Sequence, residues 1–330
     1  MIAFVVQRLL QSVLVMLAVA FISFALFRYI GDPVLIMLGQ DFTREQYEML
    51  VRDLGLDQPF YVQFAKFVVS AVQGEFGISY RLARPVAQLI AERLPATLEL
   101  SMMAALLALT IGVPMGVYTG LRRDSWLSRF FLTISLVGVS LPTFLIGILL
   151  ILVFAVQLGV LPSFGRGDVV RLGSWSTGFL TTSGLKALVL PAVTLCLFQL
   201  TLIMRLVRSE MLEVMRTEYI KFARARGLTN RAINFGHALK NTLVPVITVA
   251  GLQLGSLIAF AVVTETVFAW PGVGQLFIQS VQFSDIPVMA AYLLLIGLFF
   301  VLVNLIVDLL YFAVDPRLRS QGGSARVAGH

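Results

Sequence analysis

Few side chains in this chain could do chemistry, and their surroundings limit what that chemistry could be. Glu99 and Glu265 stand within or beside apolar runs. Asn304, Asp308, Tyr311 and Asp315 recur at i, i+4, i+7 and i+11 in the last run. That spacing gathers all four on one helix face, which therefore turns away from lipid. Ionisable groups in an apolar medium are costly, and they face a protein interior or a water path. Two roles stand open for them. One is interhelical packing or capping. The other is lining or gating a polar path, for which Glu265, Asn304 and Asp308 are the candidates. Glu265, just before Trp270-Pro271-Gly272, suits a turn as well as it suits an external loop touching a docked protein or cargo.

Catalytic sets are missing from the sequence. It holds no Ser-His-Asp arrangement, no H-E-x-x-H, no C-x-x-C and no G-x-x-x-x-G-K-[S/T] phosphate loop. Its two histidines, His237 and His330, cannot make a histidine-rich metal site, and its one cysteine, Cys196, cannot close an internal disulfide. An enzyme reading has no residues to rest on, and no cofactor site is expected in this chain.

The elements that must position these residues follow from composition. The chain is 58% hydrophobic and 13% charged, about half the charged share of a soluble domain. Its apolar residues come in long runs, which argues for lipid rather than for a large core. About 20 apolar residues cross a bilayer as a helix. Six stretches qualify: 9–29, 97–119, 130–158, 187–207, 243–264 and 288–313. Ala18-Val19-Ala20 resembles a signal-peptidase site, but the first run continues past it, so an uncleaved first helix is expected. The chain then divides into a first transmembrane helix (1–29), a partly helical external segment (30–95), a five-helix core (96–315) and a tail (316–330). Gly138, Ser140, Pro142 and Gly147 interrupt the third run, which favours close packing or a bend. The Gly/Ser/Thr-rich stretch 159–186 reads as an interfacial loop.

Lys and Arg set the orientation. Arg122, Arg123 and Arg129 follow the second run, eight basic residues from Arg205 to Lys240 follow the fourth, and Arg317, Arg319 and Arg326 follow the sixth. Segment 30–95 has more acids than bases, and 271–287 has neither Lys nor Arg. Both termini are therefore expected on the cytoplasmic side. The net charge of +7 then reflects cytoplasmic loops rather than nucleic-acid binding.

The segment between the fourth and fifth runs, 208–242, carries the most information. Glu218 to Arg226 (EYIKFARAR) is helix-compatible, Gly227 supplies a stop, and Thr229 or Asn230 can cap a second helix. In that helix Ala232, Gly236, Leu239 and Leu243 would form one apolar stripe. Such a basic hairpin could rest on anionic headgroups or dock a soluble partner. A DNA-binding helix-turn-helix is not expected, because both ends are tied into the bilayer and phosphate contacts alone are nonspecific.

The run EYIKFARARGLTNRAINFGHALKNTLVPVI closely resembles the cytoplasmic loop of inner-membrane permeases of binding-protein-dependent ABC importers, and within them the dipeptide, oligopeptide and nickel group. The wider superfamily has Glu-Ala-Ala, three residues, then Gly. This chain has Lys221-Phe222-Ala223 before Gly227, a departure like that of the peptide branch. LGLDQPFYVQFAKFVVSAVQGEFGISY with ERLPATLEL, TETVFAWPGVGQL (Thr264 to Leu276) and NLIVDLLYFAVDPR (Asn304 to Arg317) resemble further signatures of the first permease subunit, in the same order.

The resemblance implies an all-α polytopic fold with six transmembrane helices and a cytoplasmic coupling-helix hairpin, in a bacterial inner membrane. It implies a non-catalytic permease subunit that translocates di- or oligopeptides or related small solutes. Its implied partners are a second, homologous permease, two ATP-binding subunits that hold ATP and Mg, and an external binding protein. It places ATPase coupling on Glu218, Lys221, Ala223, Arg224, Ala225, Arg226, Gly227 and Leu228, with the fifth and sixth helices tilting as the hairpin moves. Two alternatives stand beside it. An ion-coupled secondary transporter would need midplane carboxylates or broken helices, and only Asp308 is a candidate. A membrane scaffold would use the hairpin to recruit a cytoplasmic protein.

Overall fold

The computed structural model describes residues 2–30, 33–38, 42–53 and 55–314. Asp315 and the tail 316–330 lie outside them, and of Asp308 and Tyr311 only the helical backbone is described. Along the described chain run α1 (Ile2–Ile30), α2 (Pro33–Leu38), α3 (Arg44–Asp53), α4 (Phe60–Val72), α5 (Val86–Leu121), α6 (Trp126–Ser140) and α7 (Thr143–Leu150). After α7 come a π-helical stretch (Ile151–Gln157), strands β1 (Val170–Leu172) and β2 (Trp175–Thr177), α8 (Thr182–Val214) and α9 (Glu218–Ala225). A second π-helical stretch (Ala232–Ala238) leads into α10 (Leu239–Val267), α11 (Val273–Gln282) and α12 (Ile286–Val314).

Four described helices are continuous, long and apolar enough to cross a membrane: those over Val6–Ala25, Val86–Leu121, Thr182–Val214 and Ile286–Val307. Two bent pairs bring the number to six when each is taken as one span. Trp126–Ser140 and Thr143–Gln157 meet at 110°, and Pro245–Gln253 and Gly255–Val267 meet at 42°. The sharp break falls at Leu141-Pro142, where proline caps α7 with φ −58° and cannot continue α6. The interruption expected there is thus a corner.

A ladder of small residues builds the core. Ala96, Leu100, Ala104, Ala108, Gly112, Gly116 and Gly120 are buried and lie four residues apart along α5. They admit α8 at backbone distance. A Cβ on Gly112 would meet the Leu200 carbonyl at 3.1 Å, one on Gly116 would meet the Met204 carbonyl at 2.7 Å, and one on Gly120 would meet Met211 Cβ at 2.9 Å. Small residues at such a seam replace the hydrophobic drive that lipid removes. The contacts advance together, so α5 and α8 run parallel. Gly251 faces Val307 and Gly255 faces Phe300, which makes α10 and α12 antiparallel. Gly297 faces Val19 while Asn304 shares a cavity with Arg8, which makes α12 and α1 antiparallel as well. Six alternating spans require these relative directions.

The structure differs from the sequence reading in three places. The second helix begins at Val86 rather than 97, and Pro95 sits inside it, so the boundary drawn at 95–96 cuts a continuous rod. The stretch 159–186 is not all loop. It holds the antiparallel β1–β2 hairpin turned at Gly173, where φ is +64°. The stripe Ala232, Gly236, Leu239, Leu243 holds only at its C-terminal end, where Leu239 and Leu243 pack against the core. Before that the buried residues are Ile233 and Ala238, and Gly236 is exposed. The π-helical turn spaces Ile233 and Ala238 five apart, a shift that a 3.6-residue period cannot anticipate.

Candidate functional site

The hairpin between α8 and α10 is built as a rigid bracket. α8 stops at Val214, and Thr217 Oγ1 donates to the Val214 carbonyl at 2.6 Å, which holds the turn into α9. α9 ends in a Schellman motif. The amide of Gly227 donates to the Arg224 carbonyl at 2.9 Å and that of Leu228 to the Ala223 carbonyl at 3.3 Å. Gly227 has φ +76°, the left-handed region that glycine enters without strain. Thr229, rather than Asn230, caps the following turn by accepting from the Ala232 amide at 3.3 Å.

Ile220, Ala223, Ile233 and Ala238 are buried in the main core together with Met211 of α8. Asn241 Nδ2 donates to the Tyr219 hydroxyl at 2.8 Å. Burial of the two isoleucines contributes roughly 1.5–3 kcal/mol each, which anchors the bracket to the core.

Seven of the eight residues expected to couple, Glu218, Lys221, Arg224, Ala225, Arg226, Gly227 and Leu228, lie on the exposed side of this bracket. Ala223 points into the core. Phe222 is 64% exposed and Phe235 56% exposed, and Arg226 stands 5.8 Å from the Phe222 ring. Lys221 pairs with Glu218 at 2.8 Å in the open, a geometry that adds little stability. The bracket therefore offers aromatic and cationic groups outward from a fixed base, the composition of a protein-docking surface.

At the opposite end of α5 and α8 a polar knot holds the helix ends. Glu265 is fully buried. Its carboxylate accepts from Thr97 Oγ1 at 2.5 Å and from the Gln275 amide at 2.9 Å, so it caps the N-terminus of α11. Thr97 Oγ1 accepts from the Val273 amide at 2.9 Å, and Trp270 Nε1 donates to the Ala96 carbonyl at 2.9 Å. A Cβ on Gly272 would meet the Glu265 carboxylate, so any larger residue there would displace that carboxylate from its hydrogen bonds. Glu99 is buried beside this knot. It takes Arg166 Nη2 at 2.6 Å and the Gly178 amide at 3.3 Å, and Arg166 also holds Ser176 of β2.

Of the three path candidates, Glu265 is thus held by hydrogen bonds from Thr97 and Gln275. Asn304 is half-buried where α12 meets α1, far along the fold from the knot. Sequence reasoning passed over Arg166, Thr97 and the glycine ladder. The ladder's four-residue spacing was visible in the sequence. Arg166 had no local signal, because its partner lies 67 residues away.

Among the described residues no group of three or more His, Cys, Asp and Glu could hold a metal.

Comparison with known proteins agrees with this fold. Residues 112–320 match the model of the binding-protein-dependent transport system inner membrane component family, and residues 1–101 match its N-terminal model. The chain is 40% identical to the di/tripeptide transport system permease protein DppB of Pseudomonas aeruginosa, over 97% of this chain and 100% of that one. It is 37% identical to the dipeptide transport system permease protein DppB of Escherichia coli, over 97% and 99%. The inward-facing MetNI methionine ABC transporter superimposes with a TM-score of 0.55 at 22% identity, over 69% of this chain and 96% of that chain, a likeness of fold. The chain belongs to the family of binding-protein-dependent transport system inner membrane components, the membrane-embedded permease subunits of ABC transport systems.

Proposed function

We propose that this permease forms one half of the membrane path of an ATP-driven importer of di- or oligopeptides. Its α8–α10 bracket would receive the force of partner ATPases. The observation that carries the coupling role is the rigid bracket itself: buried isoleucines anchor it to two spans while its aromatic and basic side faces outward. Peptide cargo is supported by the names of relatives that match nearly the full chain. The distribution of Lys and Arg, together with the alternating helix directions, supports cytoplasmic termini and an external segment 30–95.

The second half of the path would be a homologous but different permease chain. Two ATP-binding subunits would hold ATP and Mg below, and an external binding protein would deliver cargo above. ATPase closure would shift α9, and with it α8 and α10. α12 would follow through its packing on α10. Such a motion switches a two-state element with the nucleotide state of a partner.

The test is uptake of a labelled dipeptide by vesicles carrying the assembled complex. Uptake should persist when the proton gradient is collapsed and stop when ATP is removed. The reverse pattern would establish an ion-coupled transporter. Co-purification of an ATPase without any uptake would establish a scaffold.

A further inference from the structure

A cavity of about 880 Å³ is lined jointly by the bracket and by the last turns of α5. Its apolar lining includes Val117 and Leu121 of α5, Met215 just after α8 and Leu239 at the start of α10. Its polar lining is Tyr118, Arg122, Arg224, Asn230 and Asn234. Pockets for small molecules occupy about 300–1,000 Å³, and an apolar lining with a few convergent polar groups is their usual composition.

The polar groups of this cavity are not used up by the fold. Thr229 caps the turn after Gly227, which leaves the neighbouring Asn230 carboxamide without that task. Arg123 pairs with Asp124 at 3.7 Å, and Arg226 lies against the Phe222 ring. The guanidiniums of Arg122 and Arg224 and the carboxamides of Asn230 and Asn234, by contrast, take no partner among the described residues. No carboxylate stands among the described lining residues. Two uncompensated cations on one pocket repel each other and attract an anion. A carboxylate suits them, since its two oxygens can accept from both guanidiniums. Each carboxamide offers donors and an acceptor, as a peptide unit does. A fatty anion would satisfy the arginines and leave both carboxamides unmatched.

The geometry points to a binding site for the released cargo, a short peptide, between α5 and the bracket. Its C-terminal carboxylate sits at Arg122 and Arg224. Its backbone and amino end meet Asn230 and Asn234, and an apolar side chain lies against Val117, Leu121 and Met215. A peptide held there favours the arrangement in which the cavity is open, so it opposes the shift of the bracket that ATPase closure drives. Accumulated peptide thus slows ATP hydrolysis, a feedback of product on import. The inference rests on the reading of this chain as a peptide importer with a cytoplasmic bracket.

Liposomes carrying the assembled complex, with binding protein and a labelled dipeptide sealed inside, test the site. ATP added outside reaches only the complexes whose ATPases face outward. Alanyl-phenylalanine added outside is the probe, and ATP hydrolysis and release of the label are both read. The probe should slow hydrolysis, and its C-terminal amide, which lacks the carboxylate, should not. Arg122→Gln should hydrolyse ATP like the wild type without the probe. It should need about ten-fold more probe for equal inhibition, the loss of one charge-assisted hydrogen bond. Leu121→Trp, which fills the cavity, should be insensitive, and should it fail to assemble, Arg122→Gln still decides. Label transport without inhibition would overturn the site alone, whereas absence of label transport would overturn the cargo reading beneath it. The site is also overturned by equal inhibition with the amide or with octanoate, or by wild-type sensitivity in Arg122→Gln. Loss of the ATPase subunits from Arg122→Gln would overturn it too, by giving the cavity to an acidic element of the ATPase.

Discussion

The guanidinium of Arg166 lies 2.6 Å from the carboxylate of Glu99, inside the protein and across 67 residues of sequence. Through this pair the β1–β2 segment is pinned to α5, and Arg166 also binds Ser176 of β2, with Nη1 on the hydroxyl and Nη2 on the carbonyl. The Gly165 amide donates to the Phe268 carbonyl at 2.9 Å, so the same segment also holds the end of α10. The two charges are costly to bury and hold only as a pair.

Arg166→Met should therefore destabilise the protein by about 3–5 kcal/mol, because it leaves a buried carboxylate without its counterion. The double variant Glu99→Gln/Arg166→Met should recover most of that loss. Thermal unfolding of the purified permease complex measures both. Equal losses in the single and double variants would show that the pair contributes only shape.

The α5–α8 seam gives a steric prediction. A side chain on Gly116 meets Val207 Cβ at 2.6 Å and the Met204 carbonyl at 2.7 Å, and the backbone oxygen cannot rotate away. Gly116→Ala should cost about 1–3 kcal/mol by overpacking, and Gly116→Leu should prevent assembly. Gly236→Ala is the control, since a Cβ there has nothing within 4 Å. Yield and unfolding temperature of the three variants decide the matter.

Within the bracket, burial separates core residues from exposed ones. Ile233→Ala should cost about 2–5 kcal/mol. Phe222→Ala and Phe235→Ala, on the exposed side, should change stability by less than about 0.5 kcal/mol yet weaken retention of the ATPase subunits. Parallel unfolding and co-purification experiments check this. Loss of stability in Phe222→Ala together with full ATPase retention would move the docking surface elsewhere.

Tyr80 gives a prediction in pH. It lies in the turn before α5, where its amide donates to Asp285 Oδ1 at 3.1 Å. Burial pushes its phenol up from 10.0 to about 12, and the Asp285 charge adds to the rise. Between those values the folded state keeps a proton that the unfolded state has lost, so stability falls as pH climbs from about 10 to about 12 and is unaffected below. Tyr80→Phe should flatten that decline in unfolding midpoint against pH. An unchanged slope would contradict it.

Hydropathy and the helix–glycine–cap order around Gly227 carried most of the architecture in the sequence. A 20-residue apolar run and a Schellman stop are both local, and local physics sets them. The polar knot was not legible. Thr97, Arg166 and the stretch from Glu265 to Trp270 come from distant segments, and only packing brings them together. Glu265 illustrates the limit. Its type and depth suggested a path or a turn, and its partners Thr97 and Gln275 emerge only from the fold. Leu239 and Leu243 pack on the core as their spacing suggested, but Ile233 and Ala238 take the buried places before them, because a π-helical turn leaves no mark on a helical periodicity.

Force transfer through the bracket is tested most directly at Gly227. Its φ of +76° suits glycine, and a Cβ there would touch nothing within 4 Å, so a substitution strains the turn without a clash in the core. Stimulated ATP hydrolysis and dipeptide uptake should be measured on the reconstituted complex carrying Gly227→Val. Normal membrane insertion with both activities lost is the expected result. Wild-type hydrolysis and uptake in that variant would contradict the coupling role of the hairpin.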